Sequence, residues 1–211
     1  MMFVNQIADI VHGIIDHFGG NANKNIGDAF LVVWKIPHRD SYLDQNTRQL
    51  MAYKAGPNRA WADMALMSFV TILAGIWKSR KCDSYRDNEE LNLRMPNYQV
   101  ALGFGLHIGW AIEGAIGSEF KIDASYLSPN VNMSNTLEAA TKEYGVPLLF
   151  TGDLYAYLSD KMKQQCWRLD IVRFTGPQKY ELYTVDVNLS SVKLEPEVKY
   201  SALRIKIRRI L

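Results

Sequence analysis

Apolar residues Val4, Ile7, Ile10, Val11, Ile14, Ile15 and Phe18 return every three or four positions, the spacing that lays one stripe along a helix. Gly19-Gly20 follows, and glycine there can take the left-handed conformation that ends a helix. Asn25 to Ile36 (NIGDAFLVVWKI) is instead β-branched and aromatic around a Gly-Asp pair. That pattern predicts a strand, a tight turn at Gly27-Asp28 and a second strand. From His38 to Pro57 no periodicity survives, and the stretch reads as loop. Asn58 is placed to cap a helix whose apolar face runs through Trp61, Ala65, Leu66, Phe69, Val70, Leu73 and Trp77. Lys78 to Pro96 is charged and polar, the composition of a surface insertion.

Tyr98 to Gly117 has strand composition broken repeatedly by glycine, as expected of a second hairpin whose backbone bends or approaches something closely. A helix is predicted over Met133 to Tyr144, stopped by Gly145-Val146-Pro147. Strand (147–150), helix (153–159) and two more strands (167–174 and 180–187) complete the pattern. This order predicts an α+β fold, a sheet with helices on one face rather than a doubly wound parallel sheet.

The chain has 211 residues, 48% of them hydrophobic, enough for one domain with a core. Its formal net charge is only +2, so no overall field recruits nucleic acid, and no aromatic pair sits in an RNA-binding strand motif. Cys82 and Cys166 form no CxxC and have no His at ligand spacing, which argues against a disulfide framework or structural zinc and for a reducing compartment. The N-terminus lacks the basic region and cleavage site of a signal peptide. The longest apolar run, Met64 to Trp77, falls short of the ~20 residues of a membrane span. It reads as a core helix, and no transmembrane segment is expected. Lys199 to Leu211 alternates Leu203, Ile205 and Ile207 with Arg204, Lys206 and Arg208 and contains no acid. It reads as a terminal strand with one basic face or as a solvated tail.

Few residues carry chemistry by pattern alone. Asp28 is either an ordinary turn aspartate or a hard-metal ligand at a rigid bend, and position does not choose between them. The glycines from Gly105 to Gly117 lack the spacings of a phosphate-binding loop and read as structural. His107 lies in an alternating apolar strand with no nucleophile motif nearby and is expected to be packed, not catalytic.

The combination says more. KNIGDAF, then GLHIGWAIEGAIGS, then IDASYLSPNVNMSNTLEAATKEYGVPLLFTGDLY, in that order and spacing, resembles the class III nucleotide cyclase catalytic domain of adenylyl and guanylyl cyclases. The resemblance implies a domain over residues 1–187, with insertions at about 38–57 and 78–96 and a basic extension over 188–211. It implies a ferredoxin-like βαββαβ core with extra elements, paired head to tail with a second cyclase domain. The expected site holds a nucleoside triphosphate and two Mg²⁺ or Mn²⁺ ions, which lower the pKa of the ribose 3′-hydroxyl for in-line attack on the α-phosphorus. By position, Asp28 matches a metal aspartate, Lys24 and Ser125 match the base-selecting pair, and Asn132 matches the residue that orients the ribose. A lysine ammonium can donate to N1 of adenine, whereas N1 of guanine is itself a donor, so ATP is expected before GTP.

Departures from the family pattern shape the expectation equally. The other metal aspartate belongs to a strand ahead of the first helix, central in the sheet, and Met1 already opens that helix; one carboxylate and one strand are therefore expected to be absent. Thr136 stands where the transition-state arginine would be. Lys179 lies two residues from the position of the lysine that meets the terminal phosphates. The expected function is ATP cyclisation to a 3′,5′-cyclic nucleotide and pyrophosphate, with weak activity for this chain alone, in the cytoplasm or at the cytoplasmic face of a membrane. The alternative is a catalytically dead partner that dimerises with an intact cyclase domain.

Overall fold

The computed structural model describes residues 2–27, 29–46, 50–53, 60–79, 82, 85–174 and 176–194. The N-terminal stripe forms α1 (Met2–His17), which buries Ile7, Val11 and Ile15 and ends at Gly19 with φ +71°. A hairpin follows, β1 (Asn21–Ile26) against β2 (Ala29–Val33). Its first strand begins four residues earlier than the pattern predicts, because ladder bonds to the apolar AFLVV strand override the weak strand preference of Asn21-Ala22-Asn23. Asp28 at the bend and Asn58 at the expected cap lie outside the described residues, as does Lys199 to Leu211.

Residues 38–57, expected to be loop, contain a short 3₁₀ turn (His38–Asp40) and a hairpin of β3 (Ser41–Leu43) and β4 (Leu50–Ala52). The Tyr157 hydroxyl donates to the Ala52 carbonyl at 3.0 Å and ties this hairpin to the core, a contact that no local pattern announces. Next, α2 (Ala60–Trp77) packs on α1 and buries nine residues, among them Leu66, Phe69 and Ile72. It is long and apolar enough to cross a membrane by length and composition, and 56% of that window is buried inside the fold. The 78–96 segment is not purely a surface insertion either. Cys82 is buried, and the Tyr85 ring stacks edge-on against Phe3 of α1 at 4.6 Å before the short helix α3 (Glu89–Arg94).

The expected second hairpin splits. β5 (Phe104–Leu106) pairs in parallel with β8 (Leu148–Thr151), while β6 (Ile112–Ser118) pairs with β7 (Lys121–Leu127), a strand missing from the sequence reading. The helix α4 (Pro129–Tyr144) starts at Pro129 rather than Met133, capped by Ser128, whose hydroxyl accepts from the Asn130 amide. Polar residues Asn130, Asn132 and Ser134 hid this first turn from an apolar-period search. Two one-turn helices, α5 (Gly152–Tyr155) and α6 (Asp160–Lys163), replace the single helix predicted there, and Ser159 caps the second. The chain then forms β9 (Cys166–Val172) and β10 (Tyr180–Val185).

Four strands make one sheet in the order β5-β8-β10-β9. Phe104, Leu106, Leu148, Phe150 and Tyr183 turn one face towards α1 and α2, while Leu149 and Leu182 meet Leu137 and Ala140 of α4. Helices therefore cover both faces, not one. The alternation in β5 explains it: a Cβ at Gly105 would lie 2.1 Å from the Ser134 carbonyl oxygen, so only glycine admits α4 that close. The hairpin β1-β2 is a separate two-stranded sheet, although Phe30, Val32 and Trp34 enter the same core. Among the described residues no ladder joins β2 to β5.

Candidate nucleotide site

Lys24 stands on β1 just past a bulge between Ala22 and Lys24. Ser125 stands on β7 and is the one buried residue of the exposed β6-β7 ribbon. Across 101 positions of sequence the Lys24 Nζ donates to Ser125 Oγ at 3.1 Å. Next to it Asn23 Nδ2 donates to the Ala124 carbonyl at 3.4 Å. At the other end of the hairpin Lys35 meets Glu113 at 2.6 Å. Hydrogen bonding to Glu113 holds the Lys35 ammonium above its ordinary pKa, and Lys35 and Tyr126 hold the Glu113 carboxyl below its own. Both partners are exposed, so this pair orients more than it stabilises.

Lys24 lines an open cavity of about 460 Å³ with His12, Asp16 and Asn23. The other predicted residues lie elsewhere on the same side chain framework. Asn132 sits exposed in the first turn of α4, lining a cavity of about 380 Å³ with Trp110, Ile112 and Tyr126. One turn on, the Thr136 hydroxyl donates to the Asn132 carbonyl at 3.0 Å. It carries no charge and is spent on its own helix. Lys179 is exposed just ahead of β10. The structure thus brings Lys24 and Ser125 into contact, sets Asn132 and Thr136 on one helix that starts shortly after Ser125, and leaves Lys179 apart.

His107 is packed as expected, but with a role that the sequence hid. Its Nε2 lies 3.1 Å from Asn130 Oδ1 and its Nδ1 lies 2.7 Å from Thr151 Oγ1. Asn130 uses its amide group to donate to the Trp110 carbonyl at 2.9 Å. Its oxygen is therefore the acceptor, so Nε2 carries the proton and Nδ1 accepts from the threonine. Burial pushes the imidazole pKa down, opposed by Asp153 and by the hydrogen bond that His107 donates to Asn130. The network ties the end of β5 to the first turn of α4, which carries Asn132. Burial also pushes the Cys166 thiol up to about 11, and both cysteines are free.

Among the described residues, no three His, Cys, Asp or Glu side chains gather to hold a metal ion. The one carboxylate the resemblance assigns to metal, Asp28, lies outside them.

The fold is that of the nucleotide cyclase catalytic domains. Residues 1–187 match the family model of the adenylate and guanylate cyclase catalytic domain, and the chain belongs to that family. It is 25% identical over 158 residues to an adenylate cyclase of Anabaena cylindrica, covering 74% of this chain and 26% of that protein. It is 32% identical over 60 residues to adenylate cyclase 1 of Rhizobium meliloti (strain 1021), covering 28% of this chain and 9% of that protein. The chain thus spans about a quarter or less of the curated relatives it matches. Its fold matches a bacterial light-regulated adenylyl cyclase with TM-score 0.59 at 24% identity, over 88% of this chain and 44% of that one. It also matches the guanylate cyclase domain from Catenaria anguillulae solved in complex with GTP, with TM-score 0.59 at 16% identity, over 86% and 80% of the two chains.

Proposed function

We propose that this chain is a nucleotide cyclase domain whose pocket takes ATP in preference to GTP and which turns over slowly by itself. The observation that carries the reading is the Lys24-Ser125 contact, because it sets a cation donor and a hydroxyl side by side. Together they can meet an acceptor and a donor on one base edge. In that pocket Asn132 would orient the ribose, Lys179 would meet the terminal phosphates, and Asp28 would hold the Mg²⁺ or Mn²⁺ that accompanies the nucleotide. Thr136 supports slow turnover: an uncharged hydroxyl bound to its own helix gives no cation to the developing charge. The same observation favours a second reading, a regulatory partner that binds nucleotide and serves an intact domain. The exposed apolar ribbon β6-β7 supports pairing with a second cyclase domain, and two free cysteines suit the cytoplasm or the cytoplasmic face of a membrane.

Calorimetric titration of the chain with ATP and with GTP in the presence of Mn²⁺ tests the base preference. ATP is expected to bind at least about tenfold tighter, and Lys24→Glu to remove most of that difference, since one charged hydrogen bond contributes about 1.5–3 kcal/mol. Equal affinities, or a preference unmoved by Lys24→Glu, would overturn the assignment.

A further inference from the structure

Strand β1 is irregular at its middle. Ala22 pairs with Val32 and Lys24 with Leu31, so Asn23 is an extra residue with no opposite number on β2. An unbroken strand turns neighbouring side chains to opposite faces, and a bulge re-aims one of them. Here Asn23 and Lys24 both reach β7, Asn23 Nδ2 donating to the Ala124 carbonyl and Lys24 Nζ to Ser125 Oγ. Both residues also line the cavity of about 460 Å³ to which α1 contributes His12 and Asp16.

Donation to Ala124 fixes which end of the Asn23 amide is nitrogen and which is oxygen. That oxygen, Oδ1, is buried and has no hydrogen-bond partner among the described residues. His12 Nε2 is in the same condition. An acceptor shut away from water without a donor carries a desolvation cost, which a ligand that brings the donor removes. Ser125 Oγ, by contrast, already accepts from Lys24. A small turn about the broad terminal torsion of asparagine presents Oδ1 to the cavity.

We propose that Asn23 is a specificity-determining residue of the base pocket, its Oδ1 accepting from the exocyclic 6-amino group of adenine while Lys24 donates to N1. The inference rests on the base-selecting reading of Lys24. Adenine carries an acceptor at N1 and a donor at the neighbouring amino group, and the bulge sets a donor and an acceptor side by side to match them. Guanine reverses both. Its O6 would face Oδ1, oxygen against oxygen, and its N1–H would face the ammonium. Lys24 alone discriminates less, since an ammonium on a flexible stem can shift to donate to O6. With Asn23 beside it the wrong base leaves buried polar groups unpaired, which is how a polar site rejects an analogue most sharply.

Calorimetric titration in Mn²⁺ with two analogues separates the contacts in the unaltered chain: purine riboside 5′-triphosphate has hydrogen in place of the 6-amino group, and 1-deaza-ATP lacks N1. Purine riboside triphosphate is expected to bind about tenfold more weakly than ATP. Asn23→Leu, apolar and close in size, is expected to bring those two within about twofold of each other, while 1-deaza-ATP stays as much weaker than ATP as before. Equal binding of ATP and purine riboside triphosphate by the unaltered chain overturns the proposal, and that comparison needs no variant to fold. A tenfold gap that persists in Asn23→Leu overturns it too, by giving the amino group to another acceptor. Failure of the Lys24 reading shows separately, as 1-deaza-ATP binding as tightly as ATP or as no binding of ATP, and either result overturns the paired recognition with it.

Discussion

Both ring nitrogens of His107 are occupied, by Thr151 and Asn130, so the residue holds structure together and is not available as a base. Its pKa is lowered by burial, which means that the folded state binds fewer protons than the unfolded state once pH drops below about 6.5. Stability from this site is fully present above that value and is lost as pH falls through it. Thermal melts between pH 7.5 and 5 should therefore show a declining midpoint, with a shallower decline in His107→Gln. His107→Ala at pH 7.5 leaves the Thr151 hydroxyl and the Asn130 oxygen without partners. A cost of about 1–3 kcal/mol is expected, roughly 2–12 °C in Tm for a chain of this size. At this scale the sequence reading expected His107 to be packed within a strand; it is packed, but one residue beyond β5, which ends at Leu106. The same reading missed Asn130, whose neighbours are polar and whose importance comes from the imidazole it meets.

Among the elements, the β6-β7 ribbon is the least explained by its own chain. Ile112, Phe120, Ile122 and Leu127 are all exposed, Phe120 at 96%, and only Ser125 is buried. A two-stranded ribbon with apolar residues in water is marginal without a partner. If it pairs with a second cyclase domain, Phe120→Ser should move the protein from dimer towards monomer in sedimentation velocity. Tm measured on the monomer should stay within about 0.5 kcal/mol equivalent, because an exposed tip contributes little to the fold. A dimer unaffected by this change and by Ile122→Ser would place the pairing surface elsewhere. The ribbon itself was half legible: β6 has strand composition, but β7 contains Lys121, Asp123 and Ser125 and becomes a strand only by pairing.

The whole molecule joins the Lys24-Ser125 contact to a helix that carries Thr136, whose hydroxyl donates to the Asn132 carbonyl. Under the proposed function, the chain alone with ATP and Mn²⁺ releases cyclic AMP well below about 1 per second, the lower end of ordinary turnover. Thr136→Arg should raise the rate by up to about 10²–10³-fold when the chain is mixed with a cyclase domain that supplies metal carboxylates and lacks its own arginine. Ordinary turnover by the unaltered chain would contradict the argument from Thr136. No rise with Thr136→Arg would leave the regulatory-partner reading in place.

The sequence by itself determined the helices α1 and α2, the first hairpin and the family. Each rests on information carried within a short window: a 3.6-residue stripe, a Gly turn ahead of an apolar strand, or motifs in fixed order. Tertiary structure decided that β5 pairs with β8 and not β6, and that α4 covers a second face of the sheet. It also decided that Lys24 meets Ser125. These depend on contacts between residues far apart in the chain, such as the 101 positions between Lys24 and Ser125, and on the close approach that Gly105 permits. No local periodicity encodes such contacts, because the free energy that selects them comes from surfaces that exist only once the elements have packed.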